Sequence, residues 1–384
     1  MLDAYLANRW HLEKNEHFLS PEVLQSLLRL DGSGLSRASV DVCLVCSADF
    51  LNEVVVVDDQ AIVVLDSMTL ETAFEFWSCF RRYRDHEVYP KLIRQLILKT
   101  AVAMSLAYSD AVQTAGFLAE YLAERIDVEV VLTPDTYVLD ERDSLDQTAK
   151  RCLAAHIIGH EVSHYLLRID PDYRSYWEAK VAHLAKHARS VVRRTDPNST
   201  GARFVDSVIA ALSNSSQTSA KSIGDVEELI CDFAAGEAVM RSVNSSTDGD
   251  PEHLQTAFSA VQGAISINWA VAAIRHALDL VILSSTVGTS ARDELLMGRS
   301  LMSATNLAAY QLTNIDGHGE FDAEAATRVI QMTPDPDETL VPSFNDLWTY
   351  PEQFRRTLLG AVYVQKGLVD PSSLADSIEQ ILRS

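Results

Sequence analysis

The stretch from Ser144 to Ile169, SLDQTAKRCLAAHIIGHEVSHYLLRI, decides how the chain is organised. Ser144 with Gln147 three residues on has the form of a capping box, and Asp170-Pro171 stops the run that follows. One helix of about seven turns is therefore expected. Inside it, His160, Glu161 and His164 form the pattern H-E-x-x-H. A step of four residues projects the two imidazoles from successive turns of one helix face, with the carboxylate beside them, so both rings can converge on one divalent cation. The chain has 11 histidines, and chance would give this pattern in about one such sequence in fifty, so a second signal has to decide.

That signal is Glu228-Leu-Ile-Cys-Asp232, within VEELICDFAAGEAVMRSV, a second expected helix whose start we place at Asp225. A hydrolytic zinc site needs a third protein ligand and an open fourth position for water, and two histidines with one carboxylate meet that need. Glu228 and Asp232 stand one turn apart, so Glu228 can reach the metal while Asp232 orients a ligating histidine. The register selects Glu228 over Glu227, because four residues after Glu227 comes Cys231. The competing reading of Glu228 is a helix cap shared with Asp225, as Asp-x-x-Glu also satisfies a helix N-terminus.

HIIGHEVSHYLL followed by EELICDFAAG resembles the gluzincin metallopeptidases, which carry H-E-x-x-H and then E-x-x-x-D. The resemblance implies His160, His164 and Glu228 as zinc ligands, Glu161 as the general base and Asp232 as the partner of His160. Its closest flavour is the CAAX-prenyl-protease type, which has a late His-Pro followed by Arg. This chain has Tyr350-Pro351 and then Arg355 and Arg356, so Tyr350 and Arg355 are the expected stabilisers of the oxyanion. The expected activity is zinc-dependent endopeptidase cleavage of a protein or peptide substrate. Two rivals are a catalytically silent metal-binding or regulatory protein on a peptidase fold, and a helical scaffold with an accidental motif.

Working outward, EVVVV and AIVVLD flank the turn-like Asp58-Asp59-Gln60, and SVDVCLVC precedes them, so a small sheet built on a hairpin is expected there. A short helix is expected from Pro21 to Leu30, and helical spacing from Tyr89 to Arg125 indicates two core helices. DVEVVLTPDTYVLD, from Asp127 to Asp140, reads as a further pair of strands, whose edge could pair with an extended peptide. The fold class is α+β, mainly α, with a zincin-like core, small β elements and long C-terminal helices. We divide the chain into an N-terminal α/β region over 1–90, the catalytic core over 91–360 and a helical tail over 361–384. Of the other histidines, His156 is read as a core or supporting residue, since three collinear turns cannot share one ion. His183 and His187 are read as a solvated face and His318 as part of an ordinary turn.

Composition narrows the function further. With 54 acidic and 32 basic residues the net charge is -22, which repels phosphate backbones and anionic lipid surfaces and argues against nucleic acid as a partner. The N-terminal MLDAYLANRWHLEKNEHF lacks the basic and apolar regions of a secretory signal. The five cysteines are not spaced as a disulfide framework, and Cys43 and Cys46 fall in an apolar strand pattern with no second pair to complete a zinc site. A cytoplasmic home is expected. Arg275, His276 and Asp279 interrupt the apolar stretch from Ala257 to Val287, which argues for a buried helix over a membrane span. The residues say nothing of oligomeric state.

Overall fold

The computed structural model describes residues 13–14, 40–46, 52–57, 60–83, 144–195 and 220–282, with isolated positions between them. The described part is mostly helical with one small sheet, an α+β arrangement that is mainly α. The expected helix at Pro21–Leu30, the strands at Asp127–Asp140, and His318, Tyr350 and Arg355 lie outside the described residues, as do the boundaries near 90 and 360.

The sheet contains β1 (Glu13–Lys14), β2 (Val40–Cys46), β3 (Glu53–Val57) and β4 (Gln60–Asp66), in the order β1-β2-β4-β3. β3 and β4 form the expected antiparallel hairpin, with Val57 opposite Gln60 and Glu53 opposite Val64. β4 also pairs in parallel with β2, from Val40 opposite Ala61 to Val45 opposite Asp66, so it lies between the two strands that precede it in sequence. Alternation gives the sheet two apolar faces. Leu44, Val63 and Leu65 join the main core, while Cys43, Val45, Ile62 and Val64 form a separate small cluster on the other side.

Asp66 ends β4 and at once caps α1 (Ser67–Tyr83), accepting the amide of Met68 at 3.0 Å. α2 (Ser144–Ile169) matches the expected motif helix in both its limits. Its start is tied to the end of α1, because buried Asp146 pairs with Arg81 and Arg82. Its end is tied to α3 (Pro171–Thr195): Asp170 accepts the amides of Asp172 and Tyr173, each at 3.0 Å, and Pro171 takes the first helical position.

α4 (Ala220–Ser246) begins one full turn before Asp225, so Asp225 lies inside the helix and is not its cap. The cap reading of Glu228 falls with it. α4 closes in a turn in which Asp248 and Gly249 take positive φ values of 50° and 75°. Asp250 then opens α5 (Pro251–Ile282), its carbonyl accepting the amide of Leu254 at 3.0 Å. Among the described residues no helix is long and apolar enough to cross a membrane.

α2 packs most extensively against α4 and α5, and every position from Cys152 to His160 is buried. A helix enclosed on all sides needs apolar residues around its circumference, as this segment supplies. Phe233, Leu229, Phe258, Val261 and Trp77 share one continuous core with it, and the described helical positions Tyr89, Leu92, Leu96 and Met104 join that core. α2 then emerges toward solvent at Glu161, His164 and Tyr165, which are only partly buried. It is at this emergence that H-E-x-x-H falls.

Candidate metal centre

α2 and α4 bring together the two motifs, which are more than sixty residues apart in sequence. His160 Nε2 lies 3.3 Å from Glu228 Oε2, and His164 Nε2 lies 3.4 Å from Glu228 Oε1. One donor atom from each of His160, His164 and Glu228 falls within 4.8 Å of the other two. With metal–ligand bonds of about 2.0–2.2 Å, the edge of a zinc tetrahedron is about 3.3–3.5 Å, and each histidine stands at that distance from one oxygen of Glu228, His160 from Oε2 and His164 from Oε1. These separations are long for ordinary hydrogen bonds. The donor set, two imidazoles and one carboxylate, is of a kind that zinc takes, and its atoms lie close enough together to hold a metal ion.

The remaining ring nitrogens are engaged on the outer side. His160 Nδ1 lies 2.9 Å from Oδ1 of the buried Asp232. His164 Nδ1 lies 3.3 Å from Glu227 Oε1. A carboxylate that accepts Nδ1–H leaves the Nε2 lone pair for a metal and fixes the plane of the ring. Asp232 is thus placed as its spacing indicated. Glu227, set aside in the sequence on register, is the carboxylate beside His164. The one-turn spacing rule had no way to find it, because it contacts the histidine's outer nitrogen from the position adjacent to Glu228.

Electrostatics favour a cation here. Glu161, Glu227, Glu228 and Asp232 bring four carboxylates to two imidazoles. Burial alone lowers the affinity of His160 for a proton, but its hydrogen bond to Asp232 and the closeness of Glu228, together with the charges of both, more than reverse this and push its pKa up to about 10. In the metal-free chain a proton answers the same excess of negative charge that a divalent ion would answer. Glu161 is held above the ordinary carboxylate range, first by burial and further by Glu228 and Glu53, with His160 and His164 opposing. Cys231 lies inside α4 between these acids, its thiol raised well above the usual range by burial and by the charges of Glu228 and Asp232. It stays a neutral core residue and is no rival ligand.

Of the other histidines singled out in the sequence, His156 and His183 can be compared with their readings. His156 is fully buried, its ring centroid 6.5 Å from that of His160, and it is not part of the donor cluster. His183 is on the exposed side of α3. Behind the site, Tyr173 of α3 donates its hydroxyl to Ser163 at 3.1 Å, and Ser163 donates to the Gly159 carbonyl at 2.7 Å, which pins α3 to the middle of the motif.

Comparison of the chain with family models, with curated proteins and with solved structures finds no match in any of the three. The functional reading therefore stands on the site itself.

Proposed function

We propose that the protein is a zinc-dependent endopeptidase of gluzincin type, with His160, His164 and Glu228 as metal ligands and Glu161 as general base. The observation that carries this reading is the convergence of three ligand atoms from two separate helices within 4.8 Å, beside a partly buried carboxylate whose proton affinity is raised. A zinc ion held there would supply Lewis acidity toward a water and toward a substrate carbonyl.

Glu161 takes a proton from the attacking water as its oxygen adds to the carbonyl carbon, and returns a proton to the nitrogen as the C–N bond breaks. A base works best when its pKa lies near the working pH, and burial moves a carboxylate in that direction. Asp232 keeps His160 in the tautomer that offers Nε2 inward. The strands expected over Asp127–Asp140 remain the proposed edge on which an extended peptide could align beside the site. Tyr350 and Arg355 remain proposed stabilisers of the oxyanion.

The test has two readings. The purified full chain is expected to contain about one zinc per molecule by metal analysis. In a peptide-library cleavage assay, Glu161→Gln should retain that zinc and lose turnover by about 10²–10⁴-fold. Equal turnover by wild type and variant would remove the proposed base, and zinc-free protein that cannot be reconstituted would remove the metal centre.

A further inference from the structure

The least expected feature of the site is the charge that stands behind His164. Glu227 divides its two oxygens: Oε1 faces His164 Nδ1 at 3.3 Å, and Oε2 lies 3.9 Å from Arg174 Nη2. Arg174 belongs to the first turn of α3, and its guanidinium is itself anchored. Its Nε donates to the Leu167 carbonyl at 2.9 Å, near the end of α2, and Nη1 lies 3.5 Å from Glu178 Oε1. A chain of contacts thus runs from the C-terminal turn of the motif helix, through Arg174 and Glu227, to the outer nitrogen of the second histidine.

We propose that Glu227, steered by Arg174, is the positioning carboxylate of His164, and that this pair sets how tightly the site holds its cation. The proposal rests on reading His160, His164 and Glu228 as a metal centre, and deepens it. The two histidines are supported unequally. Asp232 is buried and 2.9 Å from its ring, and a carboxylate enclosed that way has few other orientations to adopt. Glu227 is 20% exposed along its side chain, at the edge of the site, and its contact is longer. A glutamate there has rotamers that turn it to solvent, and the outer oxygen needs a partner if the inner one is to stay on the ring. A planar guanidinium fixed through Nε supplies that partner from a set direction. Adjacent positions on α4 then do different work: Glu228 faces both Nε2 atoms while Glu227 faces one Nδ1.

The competing account, an ordinary surface ion pair that only joins α3 to α4, makes a different prediction for metal affinity. The experiment measures zinc affinity of the full chain by competition with a chromophoric chelator, for wild type, E227Q, R174Q, the double variant and D232N. Cobalt-substituted absorption spectra and melting temperatures in excess chelator are recorded alongside. E227Q is expected to bind zinc about 10- to 100-fold more weakly, with an altered cobalt spectrum and the melting temperature of the metal-free protein little changed. R174Q should weaken binding by a smaller factor, and it should cost less in the E227Q background than it does alone. Any affinity lost because the Leu167 carbonyl has been uncapped would add equally in both backgrounds, which the cycle separates. E227Q binding as tightly as wild type, or R174Q costing the same factor with and without Glu227, overturns the proposal. If D232N weakens zinc while E227Q does not, this inference fails and the metal centre stands; if wild type takes up no stoichiometric zinc, both fail.

Discussion

His160 is the residue on which the centre turns, since it bears Asp232 on one nitrogen at 2.9 Å and Glu228 on the other at 3.3 Å. Asp232→Asn keeps the shape and removes the anion, so zinc affinity should fall about 10- to 100-fold by chelator competition. An unchanged affinity would deny Asp232 its role. The pH dependence of the metal-free protein follows from the same contacts. The pKa of His160 in the folded chain is about 10, above its ordinary value of 6.5. A raised folded-state pKa means that the folded chain holds this proton more tightly than the unfolded one. The resulting stability is complete below about pH 6.5 and is lost as pH rises toward 10. Melting curves in excess chelator should therefore fall between pH 7 and pH 10, and the fall should vanish in His160→Ala. His160, His164, Glu228 and Asp232 were legible in the sequence because each lies one turn from its motif partner, and helical spacing converts directly into a shared face. Glu227 was not, because which neighbouring acid reaches the outer side of a ring depends on how two helices cross and on an arginine from a third.

At the scale of the element, the motif helix is defined by what holds its two ends. Asp170 accepts two amides at the start of α3 immediately after α2 ends, so Asp170→Ala should destabilise the fold by about 1 kcal/mol in a denaturant titration. Asp146 is buried at the other end against Arg81 and Arg82, which are about one third exposed. Asp146→Asn should cost about 2 kcal/mol, because the arginines can recover water while the buried group loses its charged partners. A cost below that of Asp170→Ala would show that the join between α1 and α2 contributes little. These limits were readable in advance, since Ser144 and Asp170-Pro171 are local stop and start signals. The start of α4 was not: Ala-Lys-Ser-Ile-Gly before Asp225 carries serine and glycine that read as loop, yet the helix extends back to Ala220. The hairpin β3–β4 was likewise plain from its alternation, whereas the parallel pairing of β2 with β4 is a contact between non-adjacent strands that no local pattern encodes.

Across the whole molecule, a bound ion would join α2 to α4, but it would not be what makes them fold. Ile157, Ile158, Leu229, Ile230 and Phe233 are all buried in one apolar cluster that joins the two helices through none of the proposed ligands. Removing the proposed zinc should therefore leave the helical circular-dichroism signal nearly intact while lowering the melting temperature, in contrast to small zinc modules whose fold depends on the ion. The size of the effect is set by mass action: an ion at a thousand times its dissociation constant stabilises the folded state by about 4 kcal/mol. The same argument fixes how variants should rank. Glu161→Gln leaves the three proposed ligands in place, so addition of chelator should lower its melting temperature as much as it lowers that of wild type. Glu228→Ala removes the one proposed ligand supplied by α4, so chelator should have little left to take away. If chelator lowers Glu228→Ala and wild type by the same amount, the ion is bound somewhere other than between these two helices.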